Sequence, residues 1–316
     1  VYPVLGNHEN NTVHYFNYFQ LPTNGSPGYN EHWWYKDHSN VRIIGLNSNT
    51  GYTIQTQLDW LDGVLATAAV DPNIDFVFAQ LHHPHQSELW IAGNLSYTGQ
   101  VIQRLEQFST GSGKPSVHFF GHTHGYSRGQ SRDHSHVMVN VATAGGNIDY
   151  WGEFAQIDYP EYCISQDEYG FVMVEVEAGA DPRFTLKRFS LGDATNVKDN
   201  TLEDLMSVRR YNNAPLTPSP IFPLSADVVS PDCVVLKSSA YFDADGDAQG
   251  DSHWQLSTTA NDWGAPLVDS WRQYQNWYNE VNTQSGDDLS DERVTGLVAN
   301  STYYWRVRYR DRSLEW

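Results

Sequence analysis

Cysteine is scarce in this chain, because its 316 residues include only Cys163 and Cys233. A small domain held together by several disulfides is therefore excluded. One bridge between the two thiols would require an oxidising compartment, and two unrelated buried thiols are the preferred interpretation.

Basic residues are also few, with 19 Lys and Arg against 38 Asp and Glu and a formal net charge of −19. No Lys/Arg cluster interrupts this acidic background, so duplex nucleic acid and anionic membranes would be poor partners, and no nucleic acid is expected to bind. A small phosphorylated substrate stays compatible with the charge if a metal ion supplies positive charge locally. No apolar run reaches the ~18 residues of a membrane-spanning helix, so no membrane span is expected.

Apolar residues, by contrast, make up 40% of the chain and aromatic residues 14%. Such a composition can bury a large core, and the length predicts two domains. Three short runs, residues 2–5, 74–81 and 116–120, are apolar or β-rich, and each precedes a polar segment with a histidine. This is the pattern of buried strands, and the helical spacing of apolar residues at 56–69 and 99–109 predicts helices between them. The alternation predicts a layered α/β domain.

After residue 170 the pattern changes. Residues 170–191 predict a hairpin with a turn at 179–182, and a short polar helix is expected before the Pro-rich stretch 212–223, which is typical of an interdomain linker. Only strand-like runs follow, which predict a small β-sandwich: CVVLKSSAYF, HWQLSTT, ERVTGL and STYYWRVRYRD.

Three histidine-containing segments, GNHE (6–9), LHHPH (81–85) and GHTHGYSRG (121–129), need a common explanation. Imidazole is the commonest neutral ligand for a transition metal, and an Asn carbonyl oxygen can complete the shell. Singly, a loop HHP is more often solvated or packed, and GNHE suits a tight turn with a helix cap. Two imidazoles at i and i+2 in GHTH can face two neighbouring metals. The three segments in this order indicate a metal site far more specifically than any one of them does alone.

That ordered set resembles the calcineurin-like metallophosphoesterases, and the surrounding sequence is most similar to their purple-acid-phosphatase-like branch. The segments HYFNYFQLPTNG, WWYKDHSNVRIIGLNS, QTQLDWLDGVLA and NVATAGGN also resemble the connecting segments of that family. The similarity covers roughly residues 1–190. It implies an α/β layered metallophosphoesterase sandwich with a binuclear centre of two divalent or trivalent transition-metal ions (Fe, Zn or Mn).

The resemblance implies a role for each residue that matches a family motif. Asn7 is expected to be a metal ligand and His8 the catalytic histidine. His82 and His122 are expected to bind the same metal as Asn7, whereas His124 would bind the other metal. Two cations can clamp a phosphoryl group and activate a water, and His8 can protonate or stabilise the leaving oxygen.

Two further family motifs, D-x-H and G-D-x-x-[DNY], supply most ligands of the first metal and the bridging carboxylate, and neither precedes Gly6 here. We therefore expect the sequence to be a fragment, with the domain truncated at its N-terminus, although loss of half the site is the alternative. Residues 1–316 alone are then expected to hold at most one metal and to hydrolyse p-nitrophenyl phosphate poorly or not at all.

The other histidines of these segments, and Arg128, have simpler interpretations. Nothing in the spacing demands a metal at His83, His85, His118, His134 or His136, so loop or core positions are preferred. Arg128 suits either a substrate phosphate oxygen or a structural hydrogen bond.

ANSTYYWRVRYRD (299–311) resembles the Tyr-containing F strand of fibronectin type III domains. The resemblance implies an all-β fibronectin type III-like sandwich over 223–316 that ends before its last strand, and a spacer or adhesion unit. Earlier in the same predicted sandwich, residues 243–251 place Asp243, Asp245, Asp247 and Asp251 around a glycine. These residues are either candidate Ca²⁺ ligands or a solvated acidic turn.

The predicted organisation is a metallophosphoesterase domain (1–195), a linker (196–222) and the sandwich (223–316). The predicted function is metal-dependent hydrolysis of a phosphate monoester or diester by a secreted, cell-surface or periplasmic protein. Cell-surface attachment or self-association through the sandwich is the expected partner interaction. The main alternative is a catalytically inactive extracellular scaffold or adhesion subunit that keeps the fold. A histidine-rich metal-storage protein is a third class, but it would not require the Asn7–His8 pair.

Overall fold

The chain folds mainly into β-strands with few helices, in a computed structural model that describes residues 1–316. It divides into two units, Val1–Tyr211 with Tyr278–Glu280, and Asn212–Trp277 with Val281–Trp316. The elements up to Tyr211 are α1 (Val13–Tyr18), β1 (Trp34–His38), β2 (Val41–Gly45), α2 (Gln55–Val70), β3 (Phe76–Gln80), α3 (Ser96–Ser112), β4 (Ser116–Phe120), β5 (Tyr126–Gln130), β6 (His136–Val141), β7 (Tyr162–Gln166), β8 (Tyr169–Glu177), β9 (Arg183–Gly192) and β10 (Val197–Arg209). Single 3-10 turns lie at Asn7–Glu9 and Ile91–Gly93.

A large mixed sheet organises the first unit, with its strands in the order β1-β2-β3-β4-β6-β5-β7. The neighbours β2, β3, β4 and β6 pair in parallel, whereas β1 with β2 and β5 with β6 and β7 pair antiparallel. The strands predicted near 74–81 and 116–120 are confirmed as β3 and β4. Because β3 and β4 are parallel neighbours, their carboxyl ends lie at the same edge of the sheet.

The two sides of β3 explain why its first four residues, 76–79, are all apolar. Val77 and Ala79 belong to a core with α2 and α3, whose buried residues recur at helical spacing. On the opposite side, Phe76 and Phe78 contact Phe184 of β9, with ring centroids 5.3 and 5.4 Å apart. A strand buried on both faces loses the alternation of apolar and polar residues.

The run at residues 2–5 is extended but is not a strand, contrary to the sequence-based prediction. Side chains, rather than a neighbouring strand, satisfy its carbonyl groups. Gln80 Nε2 donates to Tyr2 O at 2.6 Å, and Tyr15 Oη donates to Pro3 O at 2.8 Å. Pro3 also has no N–H to donate to a ladder.

The expected polar helix and the first part of the expected linker instead form β10. This strand pairs with β9 in a three-stranded sheet of order β10-β9-β8, and β8 and β9 confirm the predicted hairpin. Asp204, Met206 and Val208 alternate as buried residues along β10. Tertiary pairing thus overrides the helical propensity of a polar segment.

The remaining elements are β11 (Pro220–Phe222), β12 (Cys233–Ser238), β13 (Gln249–Ser257), β14 (Val268–Gln273), β15 (Trp277–Tyr278), β16 (Val281–Asn282), β17 (Asp291–Thr295) and β18 (Tyr304–Asp311). In the second unit two three-stranded sheets, β11-β12-β17 and β14-β13-β18, enclose a core around the fully buried Trp254. Cys163 lies in β7 and Cys233 in β12, and neither forms a disulfide. No helix of the chain has the length and apolar character needed to cross a membrane.

Candidate metal centre

Two of the histidine segments follow adjacent parallel strands. β3 and β4 pair with Gln80 opposite Phe119, and the backbone pairing continues beyond both strands, where Gly121 N donates to His82 O at 2.9 Å. This pairing places His82 Nε2 only 3.1 Å from His122 Nδ1. The sheet edge therefore brings together two imidazoles that are 40 residues apart in sequence.

Asn7 reaches the same point from the first segment. It begins a 3-10 turn in which the Glu9 carboxylate accepts the Gly6 N–H at 2.7 Å, while Asn49 Nδ2 donates to Gly6 O at 3.2 Å. Asn7 Oδ1 then lies 2.8 Å from His82 Nε2. A Cβ on Gly6 would lie 2.9 Å from the His82 ring, so this approach of backbone to imidazole requires glycine.

Asn7 Oδ1 and His122 Nδ1 each lie at a distance from His82 Nε2 that suits two ligands of one ion. Their separations of 2.8 and 3.1 Å fall within the ~2.8–3.4 Å expected between ligands ~2.0–2.1 Å from a common cation. Hydrogen bonding alone satisfies only one of the two contacts, because His82 Nε2 either donates a proton or accepts one. One cation would satisfy all three atoms, and two imidazoles with an amide oxygen suit Zn, Fe or Mn.

Both imidazoles are neutral at neutral pH, as a metal ligand must be. Burial, together with the charges of the neighbouring imidazoles, lowers the pKa of His82 to about 3 and that of His122 to about 4. The backbone of His122 is left-handed, with φ of 69°. Such a conformation costs roughly 1–2 kcal/mol in a non-glycine residue and is concentrated at functional sites.

In a metal-binding histidine one ring nitrogen binds the metal and the other usually donates a hydrogen bond, and His124 has such a hydrogen bond. Its Nδ1 lies 2.6 Å from Asn147 O, and its backbone N–H donates to Asp149 Oδ2 at 2.7 Å. Since a carbonyl oxygen only accepts, Nδ1 carries the proton and Nε2 keeps a lone pair for a cation. Burial raises the pKa of the Asp149 carboxyl.

One open cavity of about 250 Å³ joins these residues. It brings together all five residues that the sequence singled out in the first unit, and the roles of these residues as ligands and acid remain predictions. The exposed His8 also lines this cavity. The complete lining is Asn7, His8, His82, Trp90, His122, His124, Asp149 and Phe154.

Sequence reasoning missed Trp90, Phe154, Asp149 and the proximity of His83. The ring nitrogens of His82, His83 and His122 include atoms that all lie within 4.8 Å of one another. Ser48 Oγ holds His83 in place, because it lies 2.9 Å from Nδ1 and accepts the His83 backbone N–H at 2.9 Å. In the sequence, only the position of His83 next to His82 pointed to this proximity. Adjacency alone does not reveal the orientation of the second imidazole ring.

The other histidines and Arg128 lie outside the cavity lining. His118 and His136 form a buried pair on β4 and β6, with Nδ1 of His118 2.9 Å from Nε2 of His136. His134 Nδ1 contacts the Thr110 hydroxyl at 2.7 Å. Arg128 is buried and forms a two-point ion pair with Asp204, at 2.5 and 3.0 Å, so its role is structural rather than substrate-binding.

In the second unit the four candidate calcium ligands have different contacts. Asp251 lies in β13 and pairs with Arg310 at 3.6 Å, with both side chains fully buried. The charge of Asp251 is thus compensated, and its role as a calcium ligand remains a prediction. Asp245 accepts hydrogen bonds from Asn213 N and Nδ2, whereas Asp243 faces into the loop.

No protein-family model and no curated protein matches this sequence. Three solved structures align with parts of it. GAP50, the anchor in the inner membrane complex of Plasmodium, has 13% identity and a TM-score of 0.36, over 55% of this chain and 55% of that one. The purple acid phosphatase PPD1 from yellow lupin (Lupinus luteus) seeds has 15% identity and a TM-score of 0.43, over 60% and 34%. PhoD has 7% identity and a TM-score of 0.41, over 61% and 44%. The aligned regions thus span from about a third to about half of those chains, and such scores identify no function for this one.

Two adjacent glycines allow a matched test of His124. A Cβ on Gly146 would lie 2.9 Å from His124 Cε1 and 3.0 Å from Nδ1, whereas a Cβ on Gly145 would meet no atom within 4 Å. Gly146→Ala should displace the imidazole and raise the dissociation constant of a metal bound at His124 by about 10–100-fold, as for other groups that orient a ligand. Gly145→Ala should leave it unchanged. Equal metal dependence in both variants would contradict the role of His124.

Proposed function

We propose that the cavity of the first unit hydrolyses phosphate esters with the help of bound transition-metal ions. The observation that carries this proposal is the convergence of Asn7 Oδ1, His82 Nε2 and His122 Nδ1, with separations of 2.8 and 3.1 Å. These residues come from three segments whose order along the chain matches the motifs of the metallophosphoesterases. Unrelated turn or packing residues have no reason to combine this order with this convergence.

Asn7, His82 and His122 would hold one ion through an amide oxygen and two neutral imidazoles. His124 would contribute its Nε2 to a second ion, since the Asn147 carbonyl fixes the proton on Nδ1. When bound, such ions would polarise a phosphoryl group and lower the pKa of an attacking water. Their charge would also allow a phosphate dianion to approach a chain with a formal net charge of −19.

His8 would supply the proton for the leaving group. It adjoins Asn7 and lines the same cavity while remaining exposed, so its ring can contact the ester oxygen of a bound substrate. Donation of a proton to that oxygen avoids the release of an unstable alkoxide. Such proton transfer contributes about 10²–10⁴-fold to a rate.

Trp90 and Phe154 would bind the organic part of the ester. Their rings lie 5.7 Å apart at the cavity, and Trp90 also packs on His122 at 5.2 Å. These apolar walls exclude water from one side of the site. A small aromatic or alkyl phosphate, as a monoester or a diester, fits an open cavity of about 250 Å³.

A catalytically inactive, extracellular scaffold is the second candidate function, and the carboxylate content of the site favours it. The cluster of metal-competent side chains consists of three histidines, and Asp149 is the single carboxylate in the cavity lining. A binuclear centre usually includes carboxylates that offset the charge of its cations. Residues 1–316 provide few such groups for a second ion.

The test measures metal binding and turnover separately on the chain after removal of metal with a chelator. We expect one tightly bound equivalent of Zn²⁺ or Mn²⁺, and metal-dependent hydrolysis of p-nitrophenyl phosphate below the ~1 s⁻¹ that marks the lower range of typical enzymes. Binding without any metal-dependent turnover would support the scaffold. The absence of tight binding would contradict the hydrolase and leave the scaffold as the surviving proposal.

A further inference from the structure

The second unit contains two buried carboxylates that have no cationic partner. Asp243 is 9% exposed and Asp311 is 1% exposed, and neither takes part in an ion pair. An ionised carboxylate is strongly destabilised by burial unless a positive charge or several hydrogen bonds compensate it. Asp251, on the neighbouring strand, has such compensation from Arg310.

The two oxygens of Asp243 differ in their contacts. Oδ1 accepts the backbone N–H groups of Asp245 at 2.9 Å and Asp247 at 3.0 Å, which fixes the carboxylate within its loop. Oδ2 is buried and has no hydrogen-bond partner. The loop thus fixes one oxygen and leaves the other buried, where a bound cation or an ordered water would satisfy it.

Asn212 adds a second buried oxygen without a partner. Its Nδ2 donates to Asp311 Oδ2 at 2.9 Å, which leaves Oδ1 as the acceptor end of the amide, buried and without a donor. Asp311 Oδ1 accepts the N–H groups of Ser313 at 2.8 Å and Glu315 at 3.1 Å. Asp243 Oδ2 and Asn212 Oδ1 are both buried acceptors without a partner, so each requires a cation or a donor.

Tyr241 shows that the carboxylates share one neighbourhood. Its hydroxyl donates to Asp247 O at 3.0 Å. Burial, followed by the charges of Asp243, Asp311 and Asp247, raises the pKa of Tyr241. Burial also raises the pKa of Asp311 to about 7, with a further contribution from Asp247.

We propose that Asn212, Asp243 and Asp247 supply ligands of a Ca²⁺ site beside Asp311, here named the 243–247 loop site. All its donors are oxygens, and Ca²⁺ takes 6–8 oxygen ligands from irregular loops, with waters completing the shell. Mg²⁺ suits the site less well because it requires near-ideal octahedral geometry and dehydrates reluctantly. The site differs from the sequence-based expectation, since Asn212 takes the place of Asp251 and Asp245 among the ligands.

The experiment uses residues 1–316 after treatment with EGTA. Calorimetric titration with CaCl₂ should show one equivalent bound with a Kd of roughly 10⁻⁵–10⁻³ M, and about 5 mM Ca²⁺ should raise the melting temperature of the second unit. The same concentration of Mg²⁺ should give a smaller shift. His82→Ala should bind Ca²⁺ as the wild type does, which separates this site from the candidate metal centre.

Asp243→Asn is the decisive variant, because it removes the charge while keeping the shape and the fixed Oδ1 acceptor. We expect its Ca²⁺ affinity to fall by at least about 10-fold. The matched control is Asp232→Asn, which changes the same charge at an exposed position of the same unit. If Asp243→Asn does not fold, competition between Ca²⁺ and Tb³⁺ in the wild type decides, with Tb³⁺ emission excited through Tyr241. The absence of heat, melting shift and Tb³⁺ displacement in the wild type would overturn the proposal, as would equal affinities of the two variants.

Discussion

His122→Ala is expected to abolish tight binding of a transition metal by the first unit. The imidazole Nδ1 is one of three donor atoms whose separations match one ion, and the other two, from Asn7 and His82, cannot hold a cation tightly alone. Groups that merely orient a ligand contribute about 10–100-fold to metal affinity, so loss of a ligand should cost at least about 100-fold. Equilibrium dialysis against Zn²⁺ with metal analysis measures the change.

Two control variants distinguish the effect of losing the His122 imidazole from the effect of its left-handed backbone conformation and from loss of an unrelated imidazole. The φ of His122 is 69°, which glycine adopts without strain, so His122→Gly should lose metal as His122→Ala does while removing the conformational penalty. His38→Ala removes an exposed imidazole at the end of β1 and should bind metal normally. If both His122 variants retain wild-type affinity, this residue is not a ligand.

His8→Ala is expected to lower kcat for an alkyl phosphate, whose leaving group is a poor one, by about 10²–10⁴-fold with metal content unchanged. The reason is geometric, because His8 lines the cavity beside Asn7 but takes no part in the close contacts among Asn7, His82 and His122. Substrates with progressively better leaving groups should be affected less, since they need less protonation in the transition state.

Metal analysis and kinetics on the same preparation decide the role of His8. Loss of metal together with activity would make His8 a ligand instead of an acid. A uniform loss across all leaving groups, with metal retained, would indicate that His8 positions the phosphoryl group and does not transfer a proton. Unchanged kcat would contradict both roles.

Local periodicity predicted most helices and strands near the site. The helices expected at 56–69 and 99–109 are observed as Gln55–Val70 and Ser96–Ser112, and the apolar runs preceding His82 and His122 form parallel strands. These segments succeeded because burial of one helix face, or of both strand faces, imposes a pattern on the sequence. The predicted fibronectin type III assignment of the second unit remains a prediction.

The failures have a common physical origin in contacts between distant residues. Residues 197–209 look polar enough for a helix or linker, but pairing with β9 makes them a strand. Arg128 suits a phosphate in sequence, yet Asp204, 76 residues away, neutralises it. In the sequence Asp251 likewise looks like part of an acidic loop, but in the folded chain it is buried and paired with Arg310. Side chains such as Trp90 and Phe154 carry no motif, so only the folded chain places them in the cavity.

Anomalous diffraction from a crystal soaked in Zn²⁺ or Mn²⁺ tests the central claim most directly. The account predicts a strong peak bonded at once to Asn7 Oδ1, His82 Nε2 and His122 Nδ1, at distances of about 2.0–2.2 Å. Any second, weaker peak should lie against His124 Nε2. A map in which the three atoms retain separations of 2.8 and 3.1 Å with no peak among them, while metal binds elsewhere, would contradict it.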